Sequence, residues 1–461
     1  MTIKEKDIHK ALTAFLLLHL VVWTLVPTIS NNNLPLDTIE AIAWGSNLDW
    51  GYIKHPPLSA WFAEIFYRIF ENQDWAYYLL SQLFVISSFY IVFKFSQDFF
   101  KKKSLSLISI LLLEGIYFYN FTTPEYNVNV CQLPFLALAV YFSWEAIKKN
   151  KIINWLLFGL FSALGVLSKY SFAYLLFAIG LLLIYLITNK KLNFKCLISL
   201  ISFSVVFFPH VIWLVDNNYT TIFYALERAN LEDSNFLVSH LFQPFIFIGK
   251  QIGILVPFFI ILFFLIKNFK IKINYNDKKL LFLLTVTLVP ILLTFVTSLF
   301  LGVKIRTMWM TPFYLFLGTL FVYIYYKKIS LNKLKYFFSI FLIFFILSPA
   351  TYLYISLTQN EKRTDYPGKK ISQIVQEKWK DNFSNKIGLI GGDEWYGGNL
   401  IYHLKPRPKW DNILEDDKTV DLKGIDGGFV LIGEADTLLK ICRGVYFELE
   451  NQGICMIGKK K

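Results

Sequence analysis

Residues 11–29 read ALTAFLLLHLVVWTLVPTI, an apolar run long enough to cross the hydrocarbon core of a bilayer. Similar runs recur along the 461-residue chain, which is 55% hydrophobic with a mean hydropathy of +0.47. Soluble domains are rarely so apolar, and we therefore predict an α-helical polytopic membrane protein with about eleven transmembrane helices. The expected helices are 11–29, 76–96, 104–120, 127–147, 152–167, 170–188, 196–215, 246–266, 280–300, 309–326 and 336–356.

The loops between these runs alternate in positive charge. Lysine clusters at 101–103, 148–151, 190–195, 267–279 and 327–335 fall on one side, whereas the other side carries isolated cations. Cytoplasmic loops are the ones enriched in Lys and Arg, so the N-terminus is expected in the cytoplasm of a bacterial inner membrane. The first loop, 30–75, and the C-terminal tail are then exported. This pattern accounts for the net charge of +13, and nucleic acid is not an expected partner.

The tail differs in character from the membrane domain, which we place at 1–357. Within 358–461, the apolar runs 386–392 and 427–433 are bounded by glycine and predict strands, while 371–379 and 435–441 predict helices. This alternation predicts a small exported α/β domain. Cys442 and Cys455 lie there, and an oxidising compartment would allow a disulfide, which the sequence leaves open.

The first exported loop carries the clearest candidate site. Asp37 and Glu40 are spaced to share one face of a helix, and GYIKHPPL follows at 51–58. Its two prolines would stiffen a turn and orient Tyr52, Lys54 and His55 together. Two simpler interpretations stay open, namely that Asp37 caps a helix beginning at Thr38 and that Lys54 only reaches lipid head groups.

A second group of charges is predicted on the same face. Lys169 interrupts an apolar stretch, and Lys304 and Arg306 lie in a short connection between two apolar runs. Charged residues beside a membrane are costly, and a phosphate would explain these cations. The loop 225–240, with Arg228 and His240, is long enough to cover a cleft. A short exposed hairpin at Lys169 and a solvated loop are the alternatives.

The order of these features resembles bacterial polyprenyl-phosphate-sugar glycosyltransferases of the GT-C superfamily, near the protein mannosyltransferases and the lipid A aminoarabinose transferase. The resemblance spans about residues 10 to 350. It rests on a first-loop acid, the Gly-Tyr-x-x-His-Pro-Pro-Leu turn, a lone lysine and a late Lys-x-Arg loop. It implies a polyprenyl-phosphate-sugar donor, an acceptor that is an envelope lipid, glycan or protein, and transfer with inversion.

Roles for individual residues follow from the resemblance. Asp37 takes the catalytic position, and a second set would bind the donor phosphate: Lys54, Lys169, Lys304 and Arg306. A third set is assigned to substrate binding: Glu40, Tyr52, His55, Glu125, Asn127, Arg228 and His240. Many relatives carry adjacent Asp-Glu in the first loop, whereas Thr38 follows Asp37 here. We therefore assign no metal ligand and name no cofactor. A role for a divalent cation stays open.

Two other classes of protein compete with this interpretation. A transporter or flippase would use the same charges to line a path, but paired repeats are typical of transporters and none is evident here. An envelope assembly scaffold would explain the tail and leave the first loop without a role. The glycosyltransferase is the prediction that accounts for both.

Overall fold

The computed structural model describes residues 5–229, 235–270, 274, 276–330, 333–412 and 427–461. Helices dominate the part before residue 358 and a five-stranded sheet follows them. The helices in chain order are α1 (Glu5–Ser30), α2 (Leu36–Gly45), α3 (Leu58–Phe70), α4 (Asp74–Ser96), α5 (Lys103–Leu111), α6 (Val128–Lys149), α7 (Ile152–Ser168), α8 (Ala173–Thr188), α9 (Ile198–Asp216), α10 (Thr220–Ala229), α11 (Gln243–Phe263), α12 (Lys278–Leu301), α13 (Leu317–Tyr325), α14 (Leu334–Thr358), α15 (Gly368–Asn382), α16 (Glu394–His403) and α17 (Ala435–Ile441).

Within the described ranges, eight helical segments are long and apolar enough to cross a membrane. They correspond to α1, α4, α6, α8, α9, α11, α12 and α14. A ninth is a broken pair, Thr307–Tyr314 and Leu317–Lys328, bent by 53° and containing Pro312 in its first half. Helix α7 spans only 17 residues. The prediction of a polytopic helical protein is confirmed, and the predicted number of eleven helices is not.

The predicted span 104–120 is wrong as a single helix. Helix α5 ends at Leu111, and two short 3₁₀ helices continue the chain to Tyr119. Polar groups explain this break. The buried Glu114 carboxylate lies 3.2 Å from Nδ1 of His19 on α1, and the Asn120 side chain donates to the Glu114 carbonyl at 2.7 Å. These contacts replace a regular helical turn inside the apolar interior.

The tail forms the expected small α/β domain. Its strands are β1 (Ile387–Gly392), β2 (Lys409–Asp411), β3 (Gly428–Glu434), β4 (Val445–Leu449) and β5 (Gln452–Ile457). The sheet order is β2-β1-β3-β5-β4, with β1 parallel to β2 and β3, and β5 antiparallel to β3 and β4. Cys442 and Cys455 form a disulfide, with their Cα atoms 5.6 Å apart.

The α/β domain packs directly on the first loop through α16 and α2. At Gly398 of α16, a side chain would place its Cβ 2.7 Å from Cγ2 of Ile39 on α2. Glycine therefore allows the two helices to approach closely. The same interface continues through Asn33, whose side chain donates to Asn399 at 2.9 Å. This contact brings the start of α16 beside the polar residues of the first loop.

Arg407 of the α/β domain contacts residues of the first loop, and its removal is expected to destabilise this junction. Its guanidinium lies 2.5 Å from the Glu64 carboxylate, donates to the Ile42 carbonyl at 2.8 Å and stacks 3.7 Å from the centre of the Tyr67 ring. Because the pair is largely buried, we expect Arg407→Ala to lower the free energy of unfolding by about 2–4 kcal/mol. Thermal unfolding of the purified protein in detergent measures this loss.

Lys405→Ala is the matched control for Arg407→Ala. Lys405 pairs with Glu71, but both side chains are more than half exposed, at 62% and 61%. Exposed pairs contribute little, so we expect a change within about 0.5 kcal/mol. Equal destabilisation by the two substitutions would contradict the role given to Arg407.

Candidate functional site

Helix α2 places Asp37 and Glu40 in a polar environment between the membrane helices and the α/β domain. The helix begins at Leu36 after Pro35, and Asp37 lies in its first turn without making a side-chain cap. The interpretation of Asp37 as the cap of a helix beginning at Thr38 is therefore wrong. The Asp37 backbone N–H instead donates to Glu125 at 3.0 Å, and the Thr38 hydroxyl donates to the Tyr126 carbonyl at 3.1 Å.

The surroundings of the Asp37 carboxyl raise its pKa far above the ordinary value of an aspartate. Burial and the nearby Glu125 carboxylate raise its pKa to about 7, while Lys169, Lys54 and Arg306 act in the opposite direction. Burial likewise raises the pKa of Glu125. A carboxyl with a pKa near the working pH is well suited to accept a proton, as a general base must.

Lys169 lies beside Asp37 in the break between α7 and α8. Its ammonium donates to the Asn129 side chain at 2.6 Å and lies 5.0 Å from the centre of the Trp309 ring. Burial lowers the pKa of Lys169 to about 7, with Arg306 acting in the same direction and Asp37 against it. Only 8% of the residue is exposed, so the alternative of an exposed hairpin is wrong.

The Gly51–Leu58 turn is connected by hydrogen bonds within itself and to α10. The Tyr52 N–H donates to the His55 carbonyl at 3.0 Å, and Thr221 of α10 donates to the Tyr52 carbonyl at 2.6 Å. The His55 ring packs edge-on against Trp44, 5.7 Å between centroids. Burial, together with Lys169 and Lys54, lowers the pKa of His55 to about 3, so this imidazole is neutral.

Lys54 is bound by two carboxylates. Its ammonium lies 2.9 Å from Glu40 of α2 and 2.9 Å from Glu394 of α16. Although burial opposes the charged form, the two carboxylates raise the pKa of Lys54. Burial also raises the pKa of Glu40 to about 7, while Lys54 counteracts it. The simple alternative, in which Lys54 only reaches lipid head groups, does not describe this arrangement.

Two adjoining cavities open beside these residues. The first, about 700 Å³, has walls that are mostly apolar and aromatic, including Phe177, Trp309 and Phe313, with charged groups from Lys54, Lys169 and Arg228. The second, about 910 Å³, is basic, and its charged residues are Glu227, Arg228, Lys250, Lys304 and Arg306. Arg228 and Ile305 line both cavities, which places the two cavities side by side.

Asp37 lines neither cavity, but cations from both cavities act on its carboxyl. Lys54 and Lys169, which act on its pKa, line the first cavity, and Arg306 lines the second. The structure thus brings Asp37 together with three of the four cations predicted to meet a phosphate, and the fourth, Lys304, lines the second cavity with Arg306. The assigned roles of these residues stay predictions.

Other predicted site residues have structural contacts that are visible here. Asn127 caps α6 by accepting from the N–H groups of Asn129 and Val130. Tyr52 is buried and its hydroxyl accepts from the Asp49 N–H at 3.1 Å. His240 lies against Gly302, contacts the Leu299 carbonyl at 2.9 Å and lines neither cavity. Residues 230–234 of the loop 225–240 lie outside the described residues.

Several residues at the site were missed by the sequence interpretation. Tyr170, Tyr224 and Trp309 line the first cavity, and Glu394 reaches the site from the α/β domain. Tyr170 and Trp309 stand close in sequence to predicted cations, which is a signal that could have identified them. Glu394 follows a buried strand, but its contact with Lys54 bridges distant parts of the chain.

Among the residues that the structure describes, no group of three or more His, Cys, Asp and Glu side chains is placed to hold a metal ion. The site that is visible consists of paired carboxylates and cations beside two cavities. These features define a multi-pass membrane protein with a charged site between its helices and a small α/β domain.

Comparison with known proteins relates part of this chain to one family of membrane glycosyltransferases. Residues 54–213 match the family model described as dolichyl-phosphate-mannose-protein mannosyltransferase. A search of curated proteins gives no significant match. The predicted resemblance to GT-C enzymes is confirmed by this family match together with the fold.

The fold is similar to that of ArnT from Cupriavidus metallidurans. The structure of ArnT bound to undecaprenyl phosphate matches with a TM-score of 0.63 at 12% identity, covering 98% of both chains. The apo structure matches with a TM-score of 0.61 at 11% identity, covering 97% of this chain and 98% of the other. The likeness therefore extends over the helices and the α/β domain together.

Proposed function

We propose that this protein is an integral membrane glycosyltransferase that moves a sugar from a polyprenyl-phosphate donor to an envelope acceptor. The acceptor is a lipid such as lipid A, another glycan or a protein, and the anomeric centre is inverted. The observation that carries the proposal is the set of cations that act on the buried Asp37 carboxyl, of which Lys54 and Lys169 line the apolar cavity and Arg306 lines the basic one. The ArnT structure that shares this fold holds undecaprenyl phosphate, a lipid of the required kind.

The two cavities suit the two parts of such a donor. A polyprenyl chain is apolar and would lie against the aromatic wall of the first cavity. Its phosphate would meet Lys169 and Arg228, with Lys304 and Arg306 in the adjoining cavity. Negative charge grows on the phosphate as the sugar–phosphate bond breaks, and fixed cations stabilise that charge in the transition state.

Asp37 would accept the proton of an acceptor hydroxyl as that oxygen attacks the anomeric carbon. The attacking oxygen approaches opposite the leaving phosphate, which inverts the centre. If the acceptor is itself a phosphate, it brings no proton to remove, and Asp37 would orient the substrates and balance charge. A transporter or flippase is not favoured by the family and fold matches.

We also propose an orientation, with the N-terminus in the cytoplasm of a bacterial inner membrane and the α/β domain in the periplasm. The lysine clusters support it, and so does the Cys442–Cys455 disulfide, since disulfides persist in oxidising compartments. The test is labelling of single cysteines introduced at exposed Ile53 and exposed Lys327 by a membrane-impermeant reagent. Labelling at 53 but not at 327 is expected in intact cells, and the opposite result would overturn the orientation.

The activity is tested by mass spectrometry of envelope lipids, glycans and proteins from cells with and without this protein. We expect one class of acceptor to lose a mass that corresponds to a single sugar when the protein is absent. Purified protein should then transfer that sugar from undecaprenyl phosphate to the identified acceptor. Loss of the sugar in cells without transfer by the purified protein, with the lipid-linked sugar accumulating on one side of the membrane only, would indicate a flippase.

A further inference from the structure

Glu394 is the first residue of α16, and the α/β domain places it against Lys54, which lines the first cavity. It is 1% exposed, and its carboxylate lies 2.9 Å from the Lys54 ammonium. The Glu40 carboxylate also lies 2.9 Å from the same ammonium. One cation is thus shared by three segments: α2, the Gly51–Leu58 turn and the α/β domain.

The contact is built into the junction of the domain. Asp393, immediately before it, caps α16 by accepting from the N–H groups of Trp395 and Tyr396, which fixes the start of the helix. Gly398 packs on Ile39 one turn later, and this close approach sets the distance from α16 to α2. A buried carboxylate is costly unless it is paired, so Glu394 requires Lys54 as much as Lys54 requires Glu394.

A phosphate that enters the first cavity would come close to Lys54. Lys54 lines that cavity together with Lys169 and Arg228. A lysine side chain is flexible, and a phosphate anion would attract it. Two carboxylates oppose that movement, and they keep the ammonium next to Glu40, on the helix that carries Asp37.

We propose that Glu394 is a positioning residue for glycosyl transfer, through which the α/β domain holds Lys54 against Glu40 beside the apolar cavity. The inference rests on the proposed function and deepens it. Without Glu394, Lys54 is released toward the donor phosphate. Donor binding is then maintained or tightened while the chemical step slows, because the charges around Asp37 are no longer held in place.

The test compares Glu394→Gln with the unchanged full-length protein in membranes, using the undecaprenyl-phosphate-linked sugar identified from the envelope comparison. We expect kcat to fall about tenfold, a typical size for coupled charged pairs, while the KM for the donor does not rise. Binding of undecaprenyl phosphate alone to the purified proteins should be equal or tighter in the variant. A role limited to folding would lower the amount of active protein without improving donor binding.

A double-mutant cycle shows whether Glu394 acts through Lys54. In a Lys54→Met background, Glu394→Gln should cause no further loss of kcat. Asp393→Asn is the matched control, because it removes the same charge one residue away and its amide oxygen can still cap α16. It should retain kcat within about twofold, as expected for an exposed substitution that keeps its contacts.

The outcomes distinguish a failure of the proposed glycosyltransferase function from a failure of the positioning role of Glu394. If the unchanged protein transfers no sugar, the proposed function is wrong, whatever the variants do. If it transfers sugar and Glu394→Gln keeps its kcat, or loses the same factor with and without Lys54, the positioning role is overturned. Should Glu394→Gln accumulate poorly, Glu394→Asp answers the same question, since it keeps the charge but shortens the reach to Lys54; an unchanged kcat there also overturns the role.

Discussion

Asp37→Asn is expected to reduce sugar transfer by about 100- to 10,000-fold, the range typical of losing a general base. The substitution keeps the shape of the side chain and the Asp37 N–H that donates to Glu125, so α2 and its contact with the second loop should persist. It removes only the ability to accept a proton and the negative charge near Lys169. Initial rates with saturating donor and acceptor measure the loss, with the amount of protein in the membrane determined in parallel.

Asp49→Asn provides the control in the same loop. Asp49 is exposed, lines neither cavity and accepts from the Trp50 N–H at 2.8 Å, a contact that asparagine can keep. Its activity should match that of the unchanged protein. Normal transfer by Asp37→Asn would remove Asp37 from the mechanism and leave the acceptor deprotonated by another group or already ionised.

The pH dependence of transfer gives a second measure of the same carboxyl. Asp37 acts as a base only when ionised, and its pKa is raised to about 7. Activity, measured as kcat/KM for the free enzyme, should therefore fall as the pH drops below about 7. The residual activity of Asp37→Asn should lack this acidic limb, whereas Asp49→Asn should retain it.

Much of the fold was predictable because membrane helices leave a strong signal in hydropathy. Most predicted spans overlap the helices found, and the α/β tail was evident from glycine-bounded strands. The failures occurred where polar groups satisfy one another inside the apolar interior. Glu114 with His19, and the bend near Pro312, interrupt runs that hydropathy alone treats as continuous.

The site was predictable in its individual charges and not in their pairing. Asp37, Lys169 and Arg306 stood out because charge beside a membrane is costly. The sequence could not reveal that Lys54 is held by two carboxylates, since Glu394 is distant in sequence and arrives through the docking of α16 on α2. Asn127 shows another limit: the resemblance assigned it to substrate binding, which stays a prediction, and the sequence did not reveal that its side chain caps α6.

Lys169→Met is expected to reduce transfer by about 100- to 1,000-fold, comparable to the loss of a group that stabilises developing negative charge. Methionine has a similar length and no charge, so it fills the space beside Trp309 but removes the cation–π contact. Arg306→Ala should act differently, because Arg306 is exposed in the adjoining cavity and would raise the donor KM more than it lowers kcat. Initial rates over a range of donor concentrations separate the two effects.

Stability distinguishes a catalytic role of Lys169 from a structural one. Burial lowers the pKa of Lys169 to about 7, which shows that its charged form is disfavoured where it lies. Replacing it with an apolar side chain should leave the thermal unfolding temperature unchanged or raise it, even as transfer is lost. If Lys169 served mainly to hold Asn129, stability and activity would fall together. If the variant is more stable and less active, Lys169 is needed for the transfer reaction and not for the stability of the fold.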